Sequence, residues 1–136
     1  LKQDTNKVNI YDKKTALNFD GNTGPYLLYT YARAKSILRK AKPKKLSIKE
    51  INDAEKSLLL QLSQFPEIVL SAYYELSPSI VANYAYQLSK SFNEFYHSHK
   101  VVGSANESFR LVLVECFAQV LKNSLFLLGI DTLEQM

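Results

Sequence analysis

The sequence is poor in cysteine: Cys116 stands alone among 136 residues. One thiol cannot close a disulfide within the chain, and with only His97 and His99 to join it no Cys/His cluster of zinc spacing exists. The two histidines lie two positions apart, about 200° around a helix, so they cannot converge on one metal. No metal site is expected, and the cysteine usage fits a reducing, cytoplasmic interior. Long apolar runs are missing too. Nothing approaches a span of about 18 residues, and the opening stretch from Leu1 to Asp12 is polar where a leader would be apolar. Neither a membrane role nor secretion by a visible signal is expected. The chain opens on Leu1, on a segment with no cap or strand pattern of its own, and so reads as a piece of something longer. Acid is missing from one long stretch: no Asp or Glu occurs between Gly21 and Lys49.

That acid-free stretch holds 8 of the 17 Lys and Arg residues, from Arg33 to Lys49, in a chain of net charge +4 and pI ≈ 9.1. Such a run is either a solvated face or a binding surface for a polyanion, and charge alone does not choose. With 46% hydrophobic residues the chain is one domain's worth with a modest core. Prolines and caps divide it into helices. A turn of helix is expected near Asp12 to Leu17, and a long helix from Pro25 to Lys42, stopped by Pro43. A second long helix should open at Ser47, which has capping-box spacing to Glu50, or at Asn52, and run to about Gln64. Pro66 begins a third, reaching Glu75. Ser77 and Pro78 begin a fourth, to about His99. Residues of "SANES" cap a last helix from about Glu107 to Leu128, ended by Gly129. No alternation of period two is present, so the fold class is all-α, a compact bundle of four or five helices with antiparallel neighbours.

Apolar spacing supplies each helix with a face to bury. Val81, Ala85, Leu88, Phe92, Phe95 and His99 form one stripe; Phe109, Leu113, Cys116, Val120 and Leu127 form another, which makes Cys116 a core residue rather than a nucleophile. The helix from Pro25 has two patterned faces. Leu27, Tyr31, Ala34 and Leu38 suit the core, while Tyr26, Tyr29, Arg33, Ser36 and Lys40 follow a second stripe, aromatic at first and cationic further on. Flat rings beside cations are what unstacked bases and their phosphates need. Equally, Tyr26 and Tyr29 can be half-buried against a neighbouring helix with their hydroxyls at the rim. Spacing leaves both readings open.

The residues themselves resemble a known family. "GNTGPYLLYTYARAKSILRK" (Gly21 to Lys40) is similar to the sequence leading into the helical anticodon-binding domain, of DALR type, of the class I arginyl-tRNA synthetases. "EKSLLLQLSQFPEIV" (Glu55 to Val69), "NYAYQLSKSFNEFYHSHKVVG" (Asn83 to Gly103) and "LVLVECFAQVLKNSLFLLGIDTLEQM" (Leu111 to Met136) resemble the successive blocks of that domain. Four blocks in order are far more specific than any one motif. The sequence departs from the family at Leu28, where Gln is common, and at Tyr31, where His is common.

The resemblance implies a linker from a catalytic domain over residues 1–20 and the anticodon-binding domain over 21–136. It implies the anticodon loop of arginine tRNA as partner, together with the catalytic domain of the same parent chain. The parent would be an arginine–tRNA ligase using ATP with magnesium. The family's ATP-binding signatures, resembling His-Ile-Gly-His and Lys-Met-Ser-Lys-Ser, are absent here, so this piece is expected to hold no cofactor and no catalytic residue. Matched positions give Tyr26, Tyr29, Arg33, Lys40, Asn83, Phe92 and Met136 as RNA-binding candidates, although the stripe of Phe92 also says core. Asn93 lies in a matched block as well. Two other readings stand beside this one: the equivalent domain of another class I synthetase, and a helical protein-interaction module whose tyrosine face meets a partner helix.

Overall fold

The computed structural model describes residues 12–18, 21–42 and 48–135. It contains α1 (Lys13–Ala16), α2 (Gly24–Lys40), α3 (Asp53–Ser63), α4 (Phe65–Tyr74), α5 (Pro78–Ser98) and α6 (Glu107–Leu127), with no strand among the described residues. The all-α bundle expected from the sequence is what forms. The proposed cap at Ser47, Lys44 and Lys45 of the cationic run, and Met136 lie outside the described residues.

Local chemistry explains the boundaries. Gly21 sits at φ +88, a conformation open to glycine at no steric cost. Thr23 then caps α2 by accepting from the Tyr26 amide, with Pro25 in the first turn. Of the two starts offered for α3, Asn52 is used. Its side chain accepts from the Glu55 amide at 2.9 Å, and the Glu55 carboxylate accepts from the Asn52 amide at 3.0 Å, a reciprocal capping box. Ser77 precedes α5 as expected, but its hydroxyl pairs with that of Ser79 at 2.9 Å instead of capping the helix. Asn106 likewise makes no side-chain cap to α6; its Nδ2 donates to the Glu50 carbonyl at 2.7 Å. After α6, Gly129 at φ +71 turns the chain back, with the Ile130 amide bonded to the Leu125 carbonyl.

Helix α5 packs against α2, α3, α4 and α6. Its stripe from Val81 to Phe95 is buried as expected, and the Phe92 ring lies on Phe117 of α6, centroids 3.8 Å apart and nearly parallel. Leu27, Tyr31 and Ala34 of α2 are buried in the same core. The stripe expected for α6 is only half right. Phe109 and Leu113 are buried, but Cys116 is exposed and Leu127 is 50% exposed. The buried face runs instead through Val114, Phe117, Leu121 and Leu125. Helix α6 carries apolar residues almost all the way round, so its pattern does not single out one face.

One ion pair is built into this core. Glu55, fully buried, accepts from the Arg110 Nε at 2.6 Å, and Arg110 Nη1 donates to the Lys100 carbonyl at 2.7 Å. The pair ties the start of α3 to the start of α6 and to the loop after α5. Helices α2 and α5 are neighbours that run in the same direction: Asn22 bonds Asn83 at their starts, and Arg33 bonds Asn93 further along. Parallel packing of these two, which no short loop joins, brings both C-terminal halves to one end of the bundle.

Candidate nucleic-acid interface

At that end, the two helices enclose a cleft of ≈ 460 Å³ whose lining includes Tyr29, Arg33, Ser36, Arg39 and Lys40 of α2, Tyr96 of α5, and Gln135. A second hollow of ≈ 480 Å³ continues from it along Ile37, Lys40, Tyr96, His97 and Lys100. The Arg33 guanidinium lies over the Tyr29 ring at 4.9 Å and near the Tyr96 ring at 5.5 Å, which places one cation between two aromatic faces. Its Nη1 also donates to Asn93 Oδ1 at 2.7 Å. Asn93 in turn donates to the Tyr26 hydroxyl oxygen at 2.9 Å and to Thr30 Oγ1 at 3.3 Å. The cation is therefore held by a satisfied polar network. Tyr29 and Tyr96 are both exposed, at 43% and 38%.

Several candidates sit differently from the sequence reading. Tyr26 does not face outward like Tyr29: it is half-buried against the core, its ring 5.6 Å from Tyr86 and its hydroxyl engaged by Asn93. Its place is the wall that orients Arg33. Phe92 is fully buried on Phe117, the core role its stripe indicates and not an RNA contact; the exposed ring of α5 is Tyr96, one turn later, stacked 6.4 Å from Phe92. Asn83 is exposed near the start of α5 and bonded to Asn22, about 20 Å by helical rise from Tyr96. It is not part of the cleft. Lys40 lines both hollows. Met136 lies outside the described residues; Gln135, before it in sequence, lines the cleft.

Tyr96 and Gln135 join the cleft although no motif or matched position points to them, and Arg39 joins it as one of the cations of the acid-free run. Tyr96 had a signal, since it lies four residues after Phe92 on a face already marked as aromatic. The histidines diverge: His97 is exposed at the edge of the Tyr96 ring, while His99 stacks on Phe95 at 5.7 Å. Among the described residues no group of three or more His, Cys, Asp or Glu is placed to hold a metal ion. No described helix is long and apolar enough to cross a membrane.

Comparison with known proteins identifies the family. Residues 27–136 match the family described as the DALR anticodon binding domain. The chain belongs to that family. All of it aligns with part of the arginine–tRNA ligase of Clostridium perfringens at 41% identity, covering 26% of that protein. With the Phocaeicola vulgatus arginine–tRNA ligase the identity is 40%, over 24% of that protein. Two solved structures have the same fold. The arginyl-tRNA synthetase of Thermus thermophilus superposes on the whole chain with a TM-score of 0.94 at 34% identity. That of Plasmodium falciparum covers 99% of it with a TM-score of 0.89 at 32% identity. The chain spans about a quarter of the length of these relatives.

Proposed function

We propose that the chain is the part of an arginine–tRNA ligase that binds the anticodon loop of arginine tRNA, acting in the cytoplasm. The observation that carries this reading is the Tyr29–Arg33–Tyr96 arrangement at the mouth of a cleft flanked by Arg39 and Lys40. Bases unstacked from a loop need ring faces, each worth about 1 to 3 kcal/mol, and the phosphates between them need cations. Tyr29 and Tyr96 supply the faces. Arg33 and Lys40 supply the charge, with Tyr26 and Asn93 fixing Arg33 in place. The resemblance adds Met136 as a soft contact.

The chain's own residues do not fit ATP or magnesium. Among the described residues no donor cluster suits a divalent ion, and no glycine-rich loop joins a strand to a helix. Arginine activation, with its ATP and magnesium, belongs to the catalytic domain of the parent. That domain also has a surface to pack on: α4 buries none of its side chains fully, and Leu70, Tyr73, Tyr74 and Leu76 stand 54 to 82% exposed.

Replacing Tyr29 by Ala tests the reading. Because that ring is exposed, folding stability should stay within about 0.5 kcal/mol, while affinity for arginine tRNA falls by about 1 to 3 kcal/mol. Binding of the unaltered chain should also weaken with salt, log K falling by about 0.7 for each tenfold rise in salt and each phosphate neutralised. A Tyr29→Ala chain that binds as before, or a complex indifferent to salt, contradicts the proposal and favours a protein partner.

A further inference from the structure

After the turn at Gly129, the chain does not leave the bundle. Ile130 packs against the core, and the next residues lie back along α2. Three bonds fasten Glu134 there. The Tyr31 hydroxyl donates to its Oε1 at 3.1 Å, Lys35 Nζ sits 3.3 Å from its Oε2, and Arg39 Nη1 donates to its backbone carbonyl at 2.9 Å. The three α2 partners are spaced by four residues, so they form one row along the helix. Tyr31 also hydrogen-bonds Thr132. One residue after this clamp, Gln135 forms part of the cleft lining beside Tyr29 and Arg33.

We propose that Glu134 is a positioning residue for RNA, clamping residues 132–135 onto α2 so that Gln135 completes the wall of the cleft. The inference rests on the anticodon-loop reading above and adds to it a residue with no RNA contact of its own. Two features support a clamp over a chance surface pair. Its partners include the buried Tyr31, one of the core residues of α2, so the segment is anchored to the rigid part of the fold. The carboxylate also meets neutral and cationic donors together. Burial pushes its pKa upward, but the Lys35 and Tyr31 hydrogen bonds and the Lys35 and Lys122 charges outweigh that, and the net shift is downward from 4.5. A lowered carboxyl pKa means the charged clamp is favoured above the ordinary glutamate range and lost only as pH falls through the depressed value.

The clamp makes a prediction opposite in sign to simple electrostatics. Glu134→Gln removes a negative charge beside an RNA surface, which by charge alone tightens binding to a polyanion. The experiment compares the 136-residue chain, E134Q and E134D by titration with arginine tRNA and with the same tRNA altered in its anticodon. Amide hydrogen exchange of residues 132–135 is measured alongside. The expected result is that E134Q loses amide protection over 132–135 and binds arginine tRNA about fivefold more weakly, roughly the net worth of one hydrogen bond. Discrimination between the two RNAs should shrink, and E134D should restore part of both effects. Unchanged protection, or equal or tighter binding by E134Q, overturns the clamp. Absence of tRNA binding by the unaltered chain overturns the anticodon reading instead, so the two failures are distinguishable.

Discussion

Phe92 and Tyr96 sit one turn apart on α5, about 40° around the helix from each other, and that small rotation separates a core ring from a surface ring. Phe92 is closed off by Phe117 on α6, whereas Tyr96 reaches the edge where α2 leaves room. Truncating each should therefore have different consequences. Phe92→Ala removes a buried ring and should cost about 3 to 5 kcal/mol of stability. Tyr96→Ala should leave the unfolding midpoint in urea nearly unchanged and weaken RNA binding. A Phe92→Ala chain of undiminished stability would remove that ring from the core. At this scale the kinds of side chain were legible in the sequence, and so was the face shared by Tyr29, Arg33 and Lys40, which line the cleft. The inward direction of Phe92 was legible from its apolar stripe; that of Tyr26 was not. A ring at the boundary between two faces is turned inward or outward by which helix lies beside it, here by Tyr86 and Asn93, and helical period alone does not carry that information.

Helix boundaries were legible because their causes are local. Thr23 with Pro25, Asn52 with Glu55, and Gly129 act within a turn of where they stand. The choice of face was legible on α5, where polar residues alternate with the apolar stripe, and failed on α6, where Cys116 and Leu127 are as apolar as the residues that are buried. Pairing across elements was not legible at all: nothing near Glu55 in sequence announces Arg110. That pair closes the helix starts of α3 and α6 together, and Glu55 has no exposed surface. Arg110→Ala should leave the carboxylate buried without its cation and destabilise the chain by about 3 to 5 kcal/mol. Denaturant unfolding measures this, and a loss under about 1 kcal/mol would mean that Glu55 is satisfied by the capping box alone.

Over the whole molecule, the surplus of positive charge is divided by position. Lys35 and Arg39 hold the segment around Glu134, Arg110 is spent inside on Glu55, and Arg33 with Lys40 remains at the cleft. The run of cations that stands out in the sequence is thus several structures, and only part of it meets the proposed RNA face. Parallel packing of α2 and α5 creates that face, by bringing together residues some sixty positions apart, such as Arg33 and Asn93. The central claim is that this face reads an anticodon loop and does more than attract phosphate. It is tested most directly by titrating the chain with arginine tRNA and with the same tRNA carrying an altered anticodon, each at two salt concentrations. The account predicts tighter binding of the unaltered tRNA at both salts, with both affinities falling as salt rises. Equal affinity for the two RNAs at both salts would contradict it.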